Sequence, residues 1–297
     1  MTRPSRFPDG HAGCTARDVY LADGTRLRLV ESGEPHAPLL LLVHGFGASS
    51  YQWRFQLPAL AAAGFHVLAP DLPGHGFSQL AFPDGEYTRE AYARRLWLLM
   101  DALGVARLPV VGQSMGGAVA AEMALRHPER TDGLVLMSAV GFGTVPPRAA
   151  VLRPAPDALA PLAQLFATHA IARFILRGVY GPDASWTRHD EDELLAPYVQ
   201  RDIYRSLLRT LKEFSFALHS RDALARLPAG TLVIFGADDH VVRPADLAER
   251  VRAMRDGRLV ILPRVGHLPQ VEAPQEVVRL LTEYARGPRV ARAESAH

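Results

Sequence analysis

Val110-Val111-Gly112-Gln113-Ser114-Met115-Gly116-Gly117-Ala118 is the stretch on which the reading of this 297-residue chain turns: an apolar, strand-like run passes through Gly-x-Ser-x-Gly into an alanine-rich helical pattern. A serine at so sharp a strand-to-helix turn takes strained backbone angles, and its flanking positions must lack side chains because neighbouring elements press on them. Gly112 and Gly116 meet that need. The turn lifts the Ser114 hydroxyl above the carboxyl end of a sheet, and the next helix aims backbone N–H groups and a positive dipole end at the same point. A developing oxyanion would be stabilised there.

A serine hydroxyl is a poor nucleophile until a base removes its proton, so the elbow calls for a histidine and a carboxylate further along. Gly236-Ala237-Asp238-Asp239 follows the apolar run Leu232 to Phe235, and Val265-Gly266-His267-Leu268-Pro269 follows a run ending at Leu262. Each is expected in a loop at the carboxyl end of a strand, the edge where open α/β sheets place their ligands. Singly, the aspartates could be turn formers and the histidine a surface residue. Together with Ser114 they form an ordered set for nucleophilic catalysis.

Further out, short apolar runs alternate with longer helical patterns, the signature of a mostly parallel sheet with helices on both faces. Leu39 to Val43, His66 to Ala69, Val110 to Gly112, Leu134 to Met137, Leu232 to Phe235 and Leu259 to Leu262 read as strands. Thr88 is expected to cap a helix carrying Tyr92, Leu96, Leu99 and Leu103, which Gly104 ends. Asp18 to Leu21 and Arg26 to Glu31 flank Asp23-Gly24, a two-residue hairpin signal, so the sheet should begin antiparallel. The alternation breaks between Phe142 and Leu227. Pro146, Pro147, Pro154, Pro156 and Pro161 lead into aromatic-rich helical patterns around Phe166, Phe174, Tyr198, Tyr204 and Phe214, expected to form a cap over one end of the sheet.

Composition narrows the function. With 48% hydrophobic and 22% charged residues the chain is globular, and at this length it needs neither disulfides nor a structural metal. The net charge is +2, Lys212 is the single lysine, and the arginines are scattered, so no basic stripe marks a nucleic-acid partner. Cys14 is the only cysteine, which excludes an intrachain disulfide. His11-Ala12-Gly13-Cys14 resembles the end of a lipoprotein signal, but Met1 to Gly10 hold no apolar segment. The apolar run at Leu39 stops at His44-Gly45, far short of a membrane span, so stable membrane insertion is not expected and a cytoplasmic location is. His189-Asp190-Glu191-Asp192-Glu193 reads as the charged first turn of a helix in preference to a metal site.

These motifs resemble those of α/β-hydrolase-fold enzymes over about residues 18 to 286. His44-Gly45-Phe46-Gly47 is similar to the family's oxyanion loop after its third strand, and Asp71-Leu72-Pro73-Gly74-His75-Gly76-Phe77-Ser78 to the loop after the fourth. Gly266-His267 followed by Glu272-Ala273-Pro274 is similar to the family's histidine loop and last helix. The resemblance implies an eight-stranded, mostly parallel α/β sheet with a helical cap. Residues 18-141 and 228-286 would form the core, 142-227 the cap, and 1-17 and 287-297 flexible termini. It implies Ser114 as nucleophile, His267 as general base and then acid, and Asp239 as the carboxylate that orients the imidazole, because the family places its acid three residues after the glycine that Gly236 matches. Asp238 is the alternative. The backbone N–H groups of Phe46 and Met115 would bind the oxyanion. His44 and His75 are expected to make structural hydrogen bonds.

The expected chemistry is acyl transfer without an organic cofactor or metal, on a small-molecule ester of small to medium acyl chain. Relatives that open epoxides or remove halides carry an aspartate at the elbow, where this chain has Ser114. Carbon–carbon bond hydrolases of ring-cleavage products share the serine triad, but the Gly-Pro-Gly stretch associated with many of them is missing from Gly45 to Ser50. A non-catalytic ligand-binding member of the fold is a third possibility, against which the complete triad argues.

Overall fold

A computed structural model describes residues 7–144, 168–244 and 246–287. Its centre is an eight-stranded sheet whose inner strands are buried on both faces. The strands are β1 (Cys14–Tyr20), β2 (Arg26–Ser32), β3 (Leu39–Val43), β4 (His66–Pro70), β5 (Leu108–Gln113), β6 (Thr131–Met137), β7 (Leu232–Gly236) and β8 (Arg258–Leu262). They lie in the order β1-β2-β4-β3-β5-β6-β7-β8. The two pairings made by β2 are antiparallel and the rest parallel.

The period of two explains why runs such as Leu39 to Val43 are apolar throughout. Leu41 and Val43 enter one core, Leu40 and Leu42 the other, and Leu134 and Leu136 alternate in the same way with Val135 and Met137. On the first face lie α2 (Arg89–Ala102), α3 (Met115–Arg126) and α8 (Leu247–Arg252). On the second lie α1 (Gln56–Ala62) and α9 (Pro274–Ala285), with Leu57, Leu60, Val277 and Leu281 turned inward. The Thr88 hydroxyl accepts the Ala91 N–H, and Gly104 has a φ of 70°, the left-handed stop expected for α2.

Two expectations at the amino end need correction. The sheet starts at Cys14, not 18, because Cys14 to Arg17 pair with Ser32 to Leu29; Phe7 is also buried, so residues 7–17 are not a loose terminus. The hairpin turn is not the two-residue type. Tyr20 pairs with Arg26, leaving residues 21–25 as the connection, in which the Asp23 carboxylate accepts the Thr25 N–H and Leu21 N–H donates to the Thr25 carbonyl. The aspartate's bond to the backbone two residues on supports the longer turn.

Between β6 and β7 the described residues contain helices α4 (His169–Val179), α5 (Arg188–Leu195), α6 (Ile203–Glu213) and α7 (Arg221–Arg226). The five prolines from Pro146 to Pro161, and Phe166, lie outside the described residues, as does the tail from residue 288. Among the described residues no helix is long and apolar enough to cross a membrane.

Candidate active site

The elbow is built as its glycines require. Ser114 has φ 53° and ψ −119°, a left-handed-side conformation that costs a non-glycine residue on the order of 1–3 kcal/mol. The turn is held from outside: Ser114 N–H donates to the Met137 carbonyl at 2.9 Å, and Val140 N–H donates to the Ser114 carbonyl at 3.0 Å. A Cβ at Gly112 would fall 2.3 Å from the Gly116 carbonyl oxygen, and one at Gly116 would fall 2.3 Å from that of Val43. Both positions therefore need glycine for space.

The three residues singled out in sequence come together. His267 Nε2 lies 2.9 Å from Ser114 Oγ, and His267 Nδ1 lies 2.9 and 3.1 Å from the two Asp239 carboxylate oxygens. All three side chains are buried. A carboxylate offers only acceptors, so Nδ1 carries the proton and Nε2 is left to accept from the serine hydroxyl. Asp239 Oδ1 also accepts the N–H groups of Val241 and Val242, each at 2.9 Å, which fixes the carboxylate before it meets the imidazole. Asp238, the alternative acid, is half-buried and takes no part in these contacts.

His44 is structural, and its bonds orient the loop after β3. Leu72 N–H donates to His44 Nε2 at 2.8 Å, so the ring proton sits on Nδ1, which donates to the Gly45 carbonyl at 2.8 Å. In a trans peptide the next N–H, that of Phe46, points opposite to that pinned carbonyl. Gly45 N–H donates to Gln52 Oε1 at 2.9 Å, Gln52 Nε2 donates to Gln113 Oε1 at 3.0 Å, and Gln113 Nε2 donates to the His267 carbonyl at 2.7 Å. Met115 opens α3, where its N–H has no intrahelical acceptor. The two glutamines thus tie the loop after β3, the elbow and the histidine loop into one buried chain. Sequence reasoning missed this role; Gln52 and Gln113 follow no period that would have flagged them.

Asp71 and His75, in the loop after β4, are structural too. Asp71 accepts the N–H groups of Ser50 and Phe77 at 2.6 and 2.8 Å, and His75 Nδ1 donates to the Pro73 carbonyl at 3.0 Å. Burial, and the neighbouring His44, push the His75 pKa down to about 3.

Above Ser114 is a cavity of about 330 Å³. Its walls are Ile171, Ile175 and Leu176 of α4, Leu194 and Leu195 of α5, and Val271, with Tyr198 and Tyr204 also facing it. Of the other aromatics in this segment, Phe174 is exposed and Phe214 packs in the core beside Tyr92. One guanidinium lines the cavity among the described residues, that of Arg54, and it is paired with Asp190 at 2.8 Å. The acidic run at 190–193 is likewise engaged within the protein: Glu191 pairs with Arg173, Asp192 meets His169 Nε2 at 2.7 Å, and Glu193 accepts the Phe7 N–H at 3.1 Å. Among the described residues no group of three or more histidines, cysteines or acids could hold a metal ion.

An eight-stranded sheet of this order, with an elbow serine, a loop histidine and a loop carboxylate at its carboxyl edge, defines a class, and residues 38–274 match the family model for the alpha/beta hydrolase fold. The chain belongs to that family and is a hydrolase. It is 31% identical over 268 residues to a 2-hydroxy-6-oxo-6-phenylhexa-2,4-dienoate hydrolase of Burkholderia cepacia, covering 87% of this chain and 91% of that one. It is 41% identical over 137 residues to epoxide hydrolase A of Mycobacterium tuberculosis, 46% of this chain and 42% of that protein, so it spans less than half of that relative's length. A thermophilic esterase from Thermogutta terrifontis superposes with a TM-score of 0.74 at 25% identity, covering 92% of this chain and 98% of that one.

Proposed function

We propose that the protein is a serine hydrolase of uncharged carboxylic esters, with residues 142–227 acting as the lid of its pocket. Ser114 Oγ attacks the ester carbonyl while His267 Nε2 takes its proton, and Asp239 stabilises the imidazolium. The tetrahedral oxyanion is held by the N–H groups of Phe46 and Met115. Collapse expels the alcohol with the proton from His267, and a water activated by the same nitrogen releases the acid.

The observation that carries the choice of ester is the pairing of Arg54 with Asp190 at the wall of a largely apolar cavity. Such a site accepts a neutral acyl chain, and its volume suits a small to medium one. Epoxide opening fits poorly despite the identity with epoxide hydrolase A. Attack by a serine on an epoxide carbon leaves an ether, which the water step cannot cleave.

The near full-length identity with the dienoate hydrolase favours carbon–carbon bond cleavage as the second reading. A dienoate brings a carboxylate into the pocket, where Arg54 is already engaged. Hydrolysis of p-nitrophenyl acetate, butyrate and octanoate, beside a ring-cleavage dienoate, by wild type and Ser114→Ala separates the options. Ester turnover that Ser114→Ala abolishes supports the esterase; preferential turnover of the dienoate overturns it. Equal rates in the two proteins would refute nucleophilic catalysis and leave a ligand-binding role.

A further inference from the structure

Arg54 and Asp190 belong to different parts of the chain. Arg54 closes the single turn Ser50–Trp53 after β3, beside the oxyanion loop, and its guanidinium stacks on the rings of Tyr51 and Phe55, 4.4 Å from each centroid. Asp190 stands in the first turn of α5. Its Oδ2 accepts the Thr187 N–H at 2.8 Å and the Thr187 hydroxyl at 2.7 Å, and its Oδ1 accepts the Tyr51 hydroxyl at 2.8 Å. Both side chains line the cavity and both are largely buried, Arg54 at 9% and Asp190 at 15% exposed.

The capping role of Asp190 explains the contact with Thr187 but not the arginine. A capping residue at a helix start is satisfied by backbone donors and solvent. Nor is a buried ion pair an efficient source of stability, because desolvating two charges offsets most of their attraction. Burial opposes the charge on Asp190, yet the Thr187 donors and Arg54 outweigh it and hold the carboxyl below its ordinary pKa. A guanidinium is always charged. A full positive charge and a full negative charge therefore stand at the wall of a substrate cavity whose remaining lining is uncharged and largely aliphatic and aromatic.

We propose that Asp190 is a specificity-determining residue: by occupying Arg54 it makes the cavity select uncharged substrates, and Arg54 without it binds a carboxylate carried by the substrate. The inference builds on the ester-hydrolase reading. In physical terms Asp190 is a built-in competitor for the anion site. A substrate carboxylate must displace it and leave its charge without a cation in a largely apolar pocket, whereas a methyl end group disturbs neither charge. Removing only the negative member leaves a buried cation that the Tyr51 and Phe55 rings and the Tyr51 carbonyl still contact but no anion balances, which favours an anionic ligand.

The test compares two p-nitrophenyl esters of one chain length, the hexanoate and the adipate half-ester, which differ by a terminal carboxylate. Wild type is expected to prefer the hexanoate by about 100-fold or more in kcat/KM, each good charged contact being worth one to two decades. Asp190→Asn, in which the amide oxygen still accepts from Thr187, is expected to narrow that ratio at least tenfold, mainly through KM. Arg54→Met/Asp190→Leu, with neither charge, is expected to return to hexanoate preference. A ratio in Asp190→Asn within threefold of wild type overturns the proposal, as does an equal gain in the double variant.

Binding supplies a readout independent of turnover. In a Ser114→Ala background, calorimetry with adipate should detect tighter binding to the Asp190→Asn form than to the form retaining Asp190. Absence of that gain sinks the specificity assignment even where ester turnover is robust; its presence without Ser114-dependent turnover in the parent would spare the anion site and remove the esterase. Thermal melting checks that each variant folds. Should Asp190→Asn not fold, Arg54→Met carries the reciprocal test. Its uncompensated Asp190 is expected to raise preference for the p-nitrophenyl ester of 6-(trimethylammonio)hexanoate over the neutral hexanoate at least tenfold, and an unchanged ratio overturns the proposal.

Discussion

Gly116→Ala adds one carbon at the point where α3 crosses the end of β3. That carbon would sit 2.3 Å from the Val43 carbonyl oxygen and 2.4 Å from that of His44, where ordinary contact begins at 3.4 Å. Both obstacles are backbone atoms, so no rotamer change relieves them, and the two segments must separate by about 1 Å. The segment on one side begins with Met115 and the one on the other continues into Phe46, so the separation drives the two proposed oxyanion donors apart. Misplacement by about 1 Å is worth roughly 10²-fold in rate, close to the 10²- to 10³-fold cost of losing one donor. The expected result is a kcat for p-nitrophenyl butyrate lowered about 100-fold with KM changed only a few-fold. Overpacking of this kind also costs about 1–3 kcal/mol, which scanning calorimetry should register as a Tm lowered by several degrees. Gly178→Ala, on α4 where an added Cβ meets nothing within 4 Å, is the control and should behave as wild type. A Gly116→Ala enzyme that folds and keeps kcat within threefold would refute both the crowding argument and the placement of the donors.

The two neighbouring aspartates should separate cleanly: Asp239→Asn is expected to lower kcat by about 10⁴-fold, as loss of the imidazole's carboxylate partner does in serine triads, while Asp238→Asn stays within about twofold. Steady-state kinetics at pH 7 decides between them. Glu272→Ala removes the acceptor for the N–H groups of Gly181, Gly266 and Leu268 at 2.7, 2.8 and 2.9 Å. It should cost about 1–3 kcal/mol in urea melts and lower kcat more than it raises KM. His75 gives a pH signature. Its folded pKa of about 3 lies below the unfolded value near 6.5, so the unfolded chain binds the extra proton between them and stability falls as pH drops through that window. From pH 6.5 to 5 this one group accounts for up to ~2 kcal/mol, and His75→Gln should show a correspondingly flatter loss of Tm.

The sheet was legible because its signals are local. Leu39–Val43 matched residue for residue, and the other runs lengthened by one to three residues at their ends, since Leu108, Thr131 and Gly236 extend ladders that their neighbours already define. The shared placement of Ser114, Asp239 and His267 was legible because each closely follows an apolar run that forms a strand: Ser114 comes directly after β5, Asp239 three residues after β7 and His267 five after β8. The β1 start was missed because Cys14 to Arg17 are mostly exposed and polar, and only pairing with the buried β2 makes them a strand. Gln52, Gln113 and the Arg54–Asp190 pair were missed for a related reason. Their partners lie 61, 154 and 136 positions away in sequence, and nothing near them in the chain announces the contact.

The end of α4 packs directly against the histidine loop. Gly181 and Gly266 approach so closely that a Cβ on either would strike the other's backbone nitrogen, and His267 N–H donates to the Val179 carbonyl at 2.8 Å. Residues 179–181 and 264–268 therefore behave as one inherited block, although 83 positions separate them. A recombinant that imports the helical segment from a relative while retaining this chain's carboxyl end would split that block. Viable crossovers should fall beyond Gly181, or bring a matching histidine loop with them.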